Sequence, residues 1–113
     1  MFQGGIITKH TSLLDFAKLG YSARATILLG LSKESRSDAK RFLTLHPNVN
    51  SLYKINNGYD YLVEGVFHNL REIDEFLDSV EEKFTIQQKQ VYYIIDELAR
   101  EKFLEEEIFN PRP

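Results

Sequence analysis

The chain has 113 residues, 42% hydrophobic and 27% charged, with no Cys; this fits one compact domain in a reducing, cytoplasmic setting and excludes a disulfide frame, a thiol nucleophile or a Cys-ligated zinc. Apolar runs such as Tyr92-Tyr93-Ile94-Ile95 fall far short of the ~20 residues of a membrane span, and Met1–Gly5 has no signal-peptide character. The net charge of -3 divides into eight Lys/Arg against three acidic residues over 1–56 and six against fourteen over 57–113, so the acidic half does not run along a phosphate backbone.

Ile6 to Leu14 favours an extended strand through Ile6, Ile7, Thr8, Thr11, Leu13 and Leu14, and Asp15 to Gly20 reads as a short turn stopped by the glycine. Tyr21 to Leu31 is a strand with Tyr21, Ala23, Ala25, Ile27, Leu29 and Leu31 on one face. Ser35 or Ser37 caps a helix carrying Ala39, Phe42, Leu43 and His46, ended by Pro47. Val49 to Ile55 is a strand with Val49, Tyr53 and Ile55 on one side, and Asn56-Asn57-Gly58 turns it into a return strand, Tyr59 to Phe67.

Asn69 N-caps the clearest amphipathic helix, with Glu72 placed for a capping box and Leu70, Ile73, Phe76, Leu77, Val80 and Phe84 at helical spacing. Thr85 to Ile95 reads as a strand, and Asp96 to Phe109 as a C-terminal helix with sparse apolar residues. The series predicts an α+β, ferredoxin-like βαββαβ plait, a four-stranded antiparallel sheet with both helices on one face. The chain divides into a linker strand and turn (1–20), the plait (21–95) and an acidic C-terminal helix and tail (96–113).

The sheet face away from the helices should be polar, yet both parities carry large apolar side chains. Arg24, Thr26 and Leu28 alternate with the buried-type residues of one strand, and Leu62, Glu64 and Val66 with those of another. Leu52, Tyr92 and Ile94 are candidates to join them. Either these are scattered surface residues, or Arg24, Thr26, Leu28, Leu62 and Val66 form the interface of a homodimer.

No catalytic motif is present. His10, His46 and His68 lack metal-ligand spacing, and there is no GxSxG, P-loop or GxGxxG. The chain is expected to be no enzyme and to need neither metal nor cofactor, although a small dimeric plait enzyme stays a rival, as does a scaffold without ligand. Asn57, Gly58, Tyr59 and Asp60 are the most unusual group. The turn itself requires Asn and Gly, whereas Asp60 either accepts a register-fixing backbone hydrogen bond or receives a ligand's ammonium, with backbone N–H groups of the turn taking the carboxylate.

The run from His46-Pro47-Asn48-Val49 through Tyr53 to Gly58-Tyr59-Asp60-Tyr61-Leu62-Val63 resembles the hallmark of the Lrp/AsnC regulators, and Gly5 to Tyr21 resembles the strand linking that family's winged helix-turn-helix to its effector (RAM) domain. The likeness covers about residues 4–95. It implies sheet-to-sheet dimers that assemble into tetramers or octamers, with a small effector, commonly an amino acid, bound between dimers near Asn57, Gly58, Tyr59 and Asp60. The spaced threonines of the family's last strand are replaced by Gln87-Gln88-Lys89-Gln90-Val91. DNA contact is implied only through a helix-turn-helix part outside this sequence, whether the sequence is an excised domain or a stand-alone version.

Overall fold

A computed structural model describes residues 13–100 together with 102 and 103. The elements are α1 (Leu13–Lys18), β1 (Ala23–Leu31), a 3-10 turn (Lys33–Ser35), α2 (Arg36–Leu45), β2 (Val49–Lys54), β3 (Tyr61–Phe67), α3 (Leu70–Lys83) and β4 (Ile86–Tyr93). From β1 onward this is the expected βαββαβ order. The strands form one antiparallel sheet, ordered β2-β3-β1-β4. The apolar strands β1 and β3 take its centre, and β4, exposed from Gln87 to Gln90, takes an edge.

Alternation along β1 and β3 sends Ala25, Ile27, Leu29, Leu31, Val63 and Phe67 to one face, where they meet Ala39 and Leu43 of α2 and Ile73, Phe76, Leu77 and Val80 of α3. A period of two thus packs against helical stripes spaced by three and four residues. The Asn69 side chain accepts the Glu72 N–H at 2.9 Å, as a cap should. Glu72 in turn accepts the His68 N–H at 2.9 Å rather than that of Asn69, so the box closes one residue further out. Hydrogen bonding from His68 holds the Glu72 carboxyl below its ordinary range. That contribution to stability is present above about pH 4.5 and is lost as pH falls through the lowered value.

His46 ends α2 with its ring edge-on to Phe42 and Phe76, at centroid distances of 5.4 and 4.8 Å. Its Nδ1 accepts the Asn48 N–H at 3.1 Å, which requires an unprotonated nitrogen there. Burial lowers its pKa from 6.5. The unfolded chain therefore takes up a proton below pH 6.5 that the folded chain resists, and stability falls with pH in that window. His46→Gln keeps an acceptor but gains no proton. Denaturant titrations between pH 7 and pH 5 are expected to show a steeper loss for the parent chain than for this variant; equal slopes would place the loss elsewhere.

Three expectations are corrected. Leu13 and Leu14 belong to α1 and not to a strand (Ile6 to Ser12 lie outside the described residues). Leu, Ala and Lys favour helix there, and Phe16, 1% exposed, anchors it. The parity of β2 changes at a bulge between Val49 and Ser51, so Val49 pairs with Gly65 and Leu52 with Val63 on the helix side, while Tyr53 pairs with Leu62 on the other. Asn48 fixes this irregularity, its carbonyl accepting the Val66 N–H at 2.8 Å and its side chain donating to the Val66 carbonyl at 2.9 Å.

Finally, Asp96 to Arg100 is not helical, and residues 104–109 of that expected helix lie outside the described residues. Ile94 donates to the Arg24 carbonyl at 2.9 Å, and Glu97 meets the Arg24 guanidinium at 3.4 Å. Leu98 and Phe103, 91% and 87% exposed, bury no helical stripe against the described residues. The nearly buried Arg24 charge instead holds the segment along the sheet.

Candidate functional site

Asn57 and Gly58 both adopt positive φ, 70° and 91°, which is the conformation the Asn-Gly pair predicts. The turn is folded back onto the end of the sheet. Gln88 of β4 donates from Nε2 to the Gly58 carbonyl at 3.0 Å. A Cβ on Gly30 would lie 2.9 Å from the same carbonyl oxygen, so a glycine in β1 permits the approach. The edge strand β4 thus supplies a tie to the turn through Gln88.

Asp60 joins the turn to two other elements. Its N–H donates to the Leu29 carbonyl at 2.8 Å, and its own carbonyl accepts the Ile55 N–H at 3.0 Å. The β1–β4 pairing slips between Gly30 and Leu31. Asp60 Oδ2 accepts the Leu31 N–H at 2.7 Å beside that irregularity. Oδ1 lies 3.1 Å from Arg36 Nε. The backbone hydrogen bond expected of this carboxylate is therefore present, made to Leu31.

Within the single chain the four turn residues have different surroundings. Asn57 and Gly58 are exposed, Tyr59 is half-buried, and the Asp60 carboxylate turns toward α2. There it borders a cleft of about 450 Å³ whose other walls include Arg36, Ser37 and Lys40 of α2 and Leu52 and Lys54 of β2. Arg36 and Lys40 are one helical turn apart. Nothing in the sequence places Lys54 opposite them; only the crossing of α2 over β2 does.

The five residues expected at a dimer interface do share a face. Arg24 pairs with Val66, Thr26 with Glu64 and Leu28 with Leu62. Tyr53 opposite Leu62, and Tyr92 opposite Thr26, widen the patch and are 52% and 54% exposed. Val66 is 6% exposed, and the Arg24 guanidinium lies 5.3 Å over the Phe16 ring, so α1 and the Ile94–Arg100 segment cover one end. In the single chain Thr26, Leu28 and Leu62 are half-buried and Tyr53 and Tyr92 exposed. Tyr53 was missed because the bulge reversed its parity.

Among the described residues no group of three or more His, Asp or Glu is placed to hold a metal. His46 and His68 serve separate helix ends, and His10 lies outside the described residues. No helix among them is long and apolar enough to cross a membrane.

Comparison with known proteins agrees with this architecture. The chain is 31% identical over 78 residues to the HTH-type transcriptional regulator FL11 of Pyrococcus horikoshii, covering 69% of this chain and 52% of that protein. It spans about half the length of the curated relatives it matches. A transcriptional regulator of Neisseria meningitidis in complex with L-methionine superposes with a TM-score of 0.71 at 21% identity, over 85% of this chain and 64% of that one. A feast or famine regulatory protein of M. tuberculosis, also complexed with L-methionine, gives 0.66 at 15% identity, over 76% and 58%. Residues 24–104 match the Lrp/AsnC ligand binding domain, and with that match the chain belongs to the Lrp/AsnC family.

Proposed function

We propose that this chain is the ligand-sensing and oligomerisation part of a cytoplasmic Lrp/AsnC transcription regulator, without catalytic activity of its own. Two copies pack through the faces bearing Arg24, Thr26, Leu28, Leu62 and Val66, and dimers join into tetramers or octamers. A small effector of the amino-acid class lodges between dimers at Asn57, Gly58, Tyr59 and Asp60. DNA is contacted only through a helix-turn-helix part outside this sequence. The open apolar patch at the centre of the sheet is the observation that carries this reading, because a solvated sheet face has no use for Leu28 beside Leu62 and Tyr53.

An effector that prefers one assembly moves the equilibrium by no more than its difference in affinity between the two. The two L-methionine complexes among the structural neighbours make methionine the first compound to test. At a hundred times its dissociation constant, a ligand specific to the folded state adds about 2.7 kcal/mol. A rise in melting temperature together with a change in sedimentation coefficient on adding L-methionine is the expected result.

One observation favours a second reading, a scaffold that senses nothing: both Asp60 carboxylate oxygens are engaged within the chain. A screen of the common amino acids that moves neither quantity would decide for the scaffold. The small dimeric enzyme has no comparable support.

A further inference from the structure

The cleft between α2 and β2 lies beside the turn but has a different chemistry. Arg36, Lys40 and Lys54 bring three positive charges to its walls, and Asp60 is the one carboxylate. That carboxylate is spent on the Leu31 N–H and on Arg36. Neither Lys40 nor Lys54 has an ion-pair partner among the described residues. The Ser37 side chain adds a hydroxyl and Leu52 an apolar wall, in a space of about 450 Å³, the size of a small-molecule site.

We propose that this cleft binds a small organic dianion, either a phosphate monoester or a dicarboxylate. Two uncompensated ammonium groups on opposite walls match two negative charges on one compact ligand. A neutral amino acid fits this cleft poorly, since its ammonium would meet the same positive field of Lys40 and Lys54. The cleft shares only Asp60 with the effector site proposed at the turn, and its argument rests on Lys40 and Lys54, so the failure of either proposal leaves the other to be tested. Because the ammonium groups are reached by solvent, affinity falls with added salt.

Calorimetry on the whole 113-residue chain at low salt tests this, with glycerol 3-phosphate and succinate as probes. One or both should bind, and which of them binds identifies the headgroup. The double variant Lys40→Met/Lys54→Met should weaken binding about tenfold, each exposed charge contributing modestly. Arg36 is left in place because it supports Asp60. Arg71→Met, which removes an exposed charge on α3, should bind as the parent does.

Melting temperatures of the unliganded variants within about 3 °C of the parent would show that the fold is kept. Failure of both probes to bind the parent chain would overturn the proposal. So would equal affinity in the double variant, an equal loss in Arg71→Met, or displacement of the probe by L-methionine.

Discussion

Asp60→Ala is expected to lower the stability of the plait by about 2–3 kcal/mol, seen as a fall in melting temperature of about 10 °C or more. Most of this comes from the Leu31 N–H. Leu31 is 1% exposed and its amide sits where the β1–β4 pairing slips, so with the carboxylate gone a buried donor has no acceptor. The Arg36 pair adds less, because its guanidinium side is half exposed. Asp60→Asn keeps an oxygen for Leu31 and loses only the charge, so it should cost about 1 kcal/mol. Thermal or urea denaturation of the two variants checks the ranking. Equal stability of Asp60→Ala and the parent would mean that water reaches the Leu31 amide.

The same comparison separates scaffold from sensor at this residue. Asp60→Ala disturbs the turn that Asp60 holds, so a loss of methionine binding in that variant alone does not make Asp60 a ligand contact. Binding retained in Asp60→Asn and lost in Asp60→Ala would mark a positioning residue. Binding lost in both, with Asp60→Asn still stable, would mark direct recognition of an ammonium by the charged carboxylate.

The parts of this molecule legible from sequence are those where one local rule governs. The alternation of β1, the stripe of Ile73, Phe76, Leu77 and Val80, the Asn69 cap and the Asn57-Gly58 turn each depend on residues a few positions apart, and each formed as expected. Where local rules compete with distant partners, sequence reasoning failed. Strict alternation put Val49 and Tyr53 on one side; the bulge tied down by Asn48 and Val66, eighteen residues apart, sent Val49 to the helix side and Tyr53 to the other face. The acidic segment after Ile95 has helical composition, but Arg24 draws Glu97 away. Asp60 was recognisable as unusual, and its two possible roles could be stated, yet the backbone partner of its carboxylate, Leu31, is set by the sheet and not by neighbouring residues.

Leu62→Arg should raise the dissociation constant of the proposed dimer by a factor on the order of 10³. Leu62 lies at the middle of the open face between Leu28 and Tyr53. In a two-fold face-to-face contact the substitution enters twice, and each guanidinium would be buried without a partner at a cost of about 2 kcal/mol or more. In the single chain the same position is only half-buried, so folding should be nearly unaffected and circular dichroism should match the parent. Leu70→Arg makes the identical chemical change at a site 62% exposed on α3, off the sheet, and should leave the assembly intact. Sedimentation at micromolar concentration reads all three proteins. A monomeric parent would remove the basis for the interface. A Leu62→Arg protein that still dimerises would show that the contact uses another surface, so that the half-buried Leu28 and Leu62 beside the exposed Tyr53 serve a different purpose.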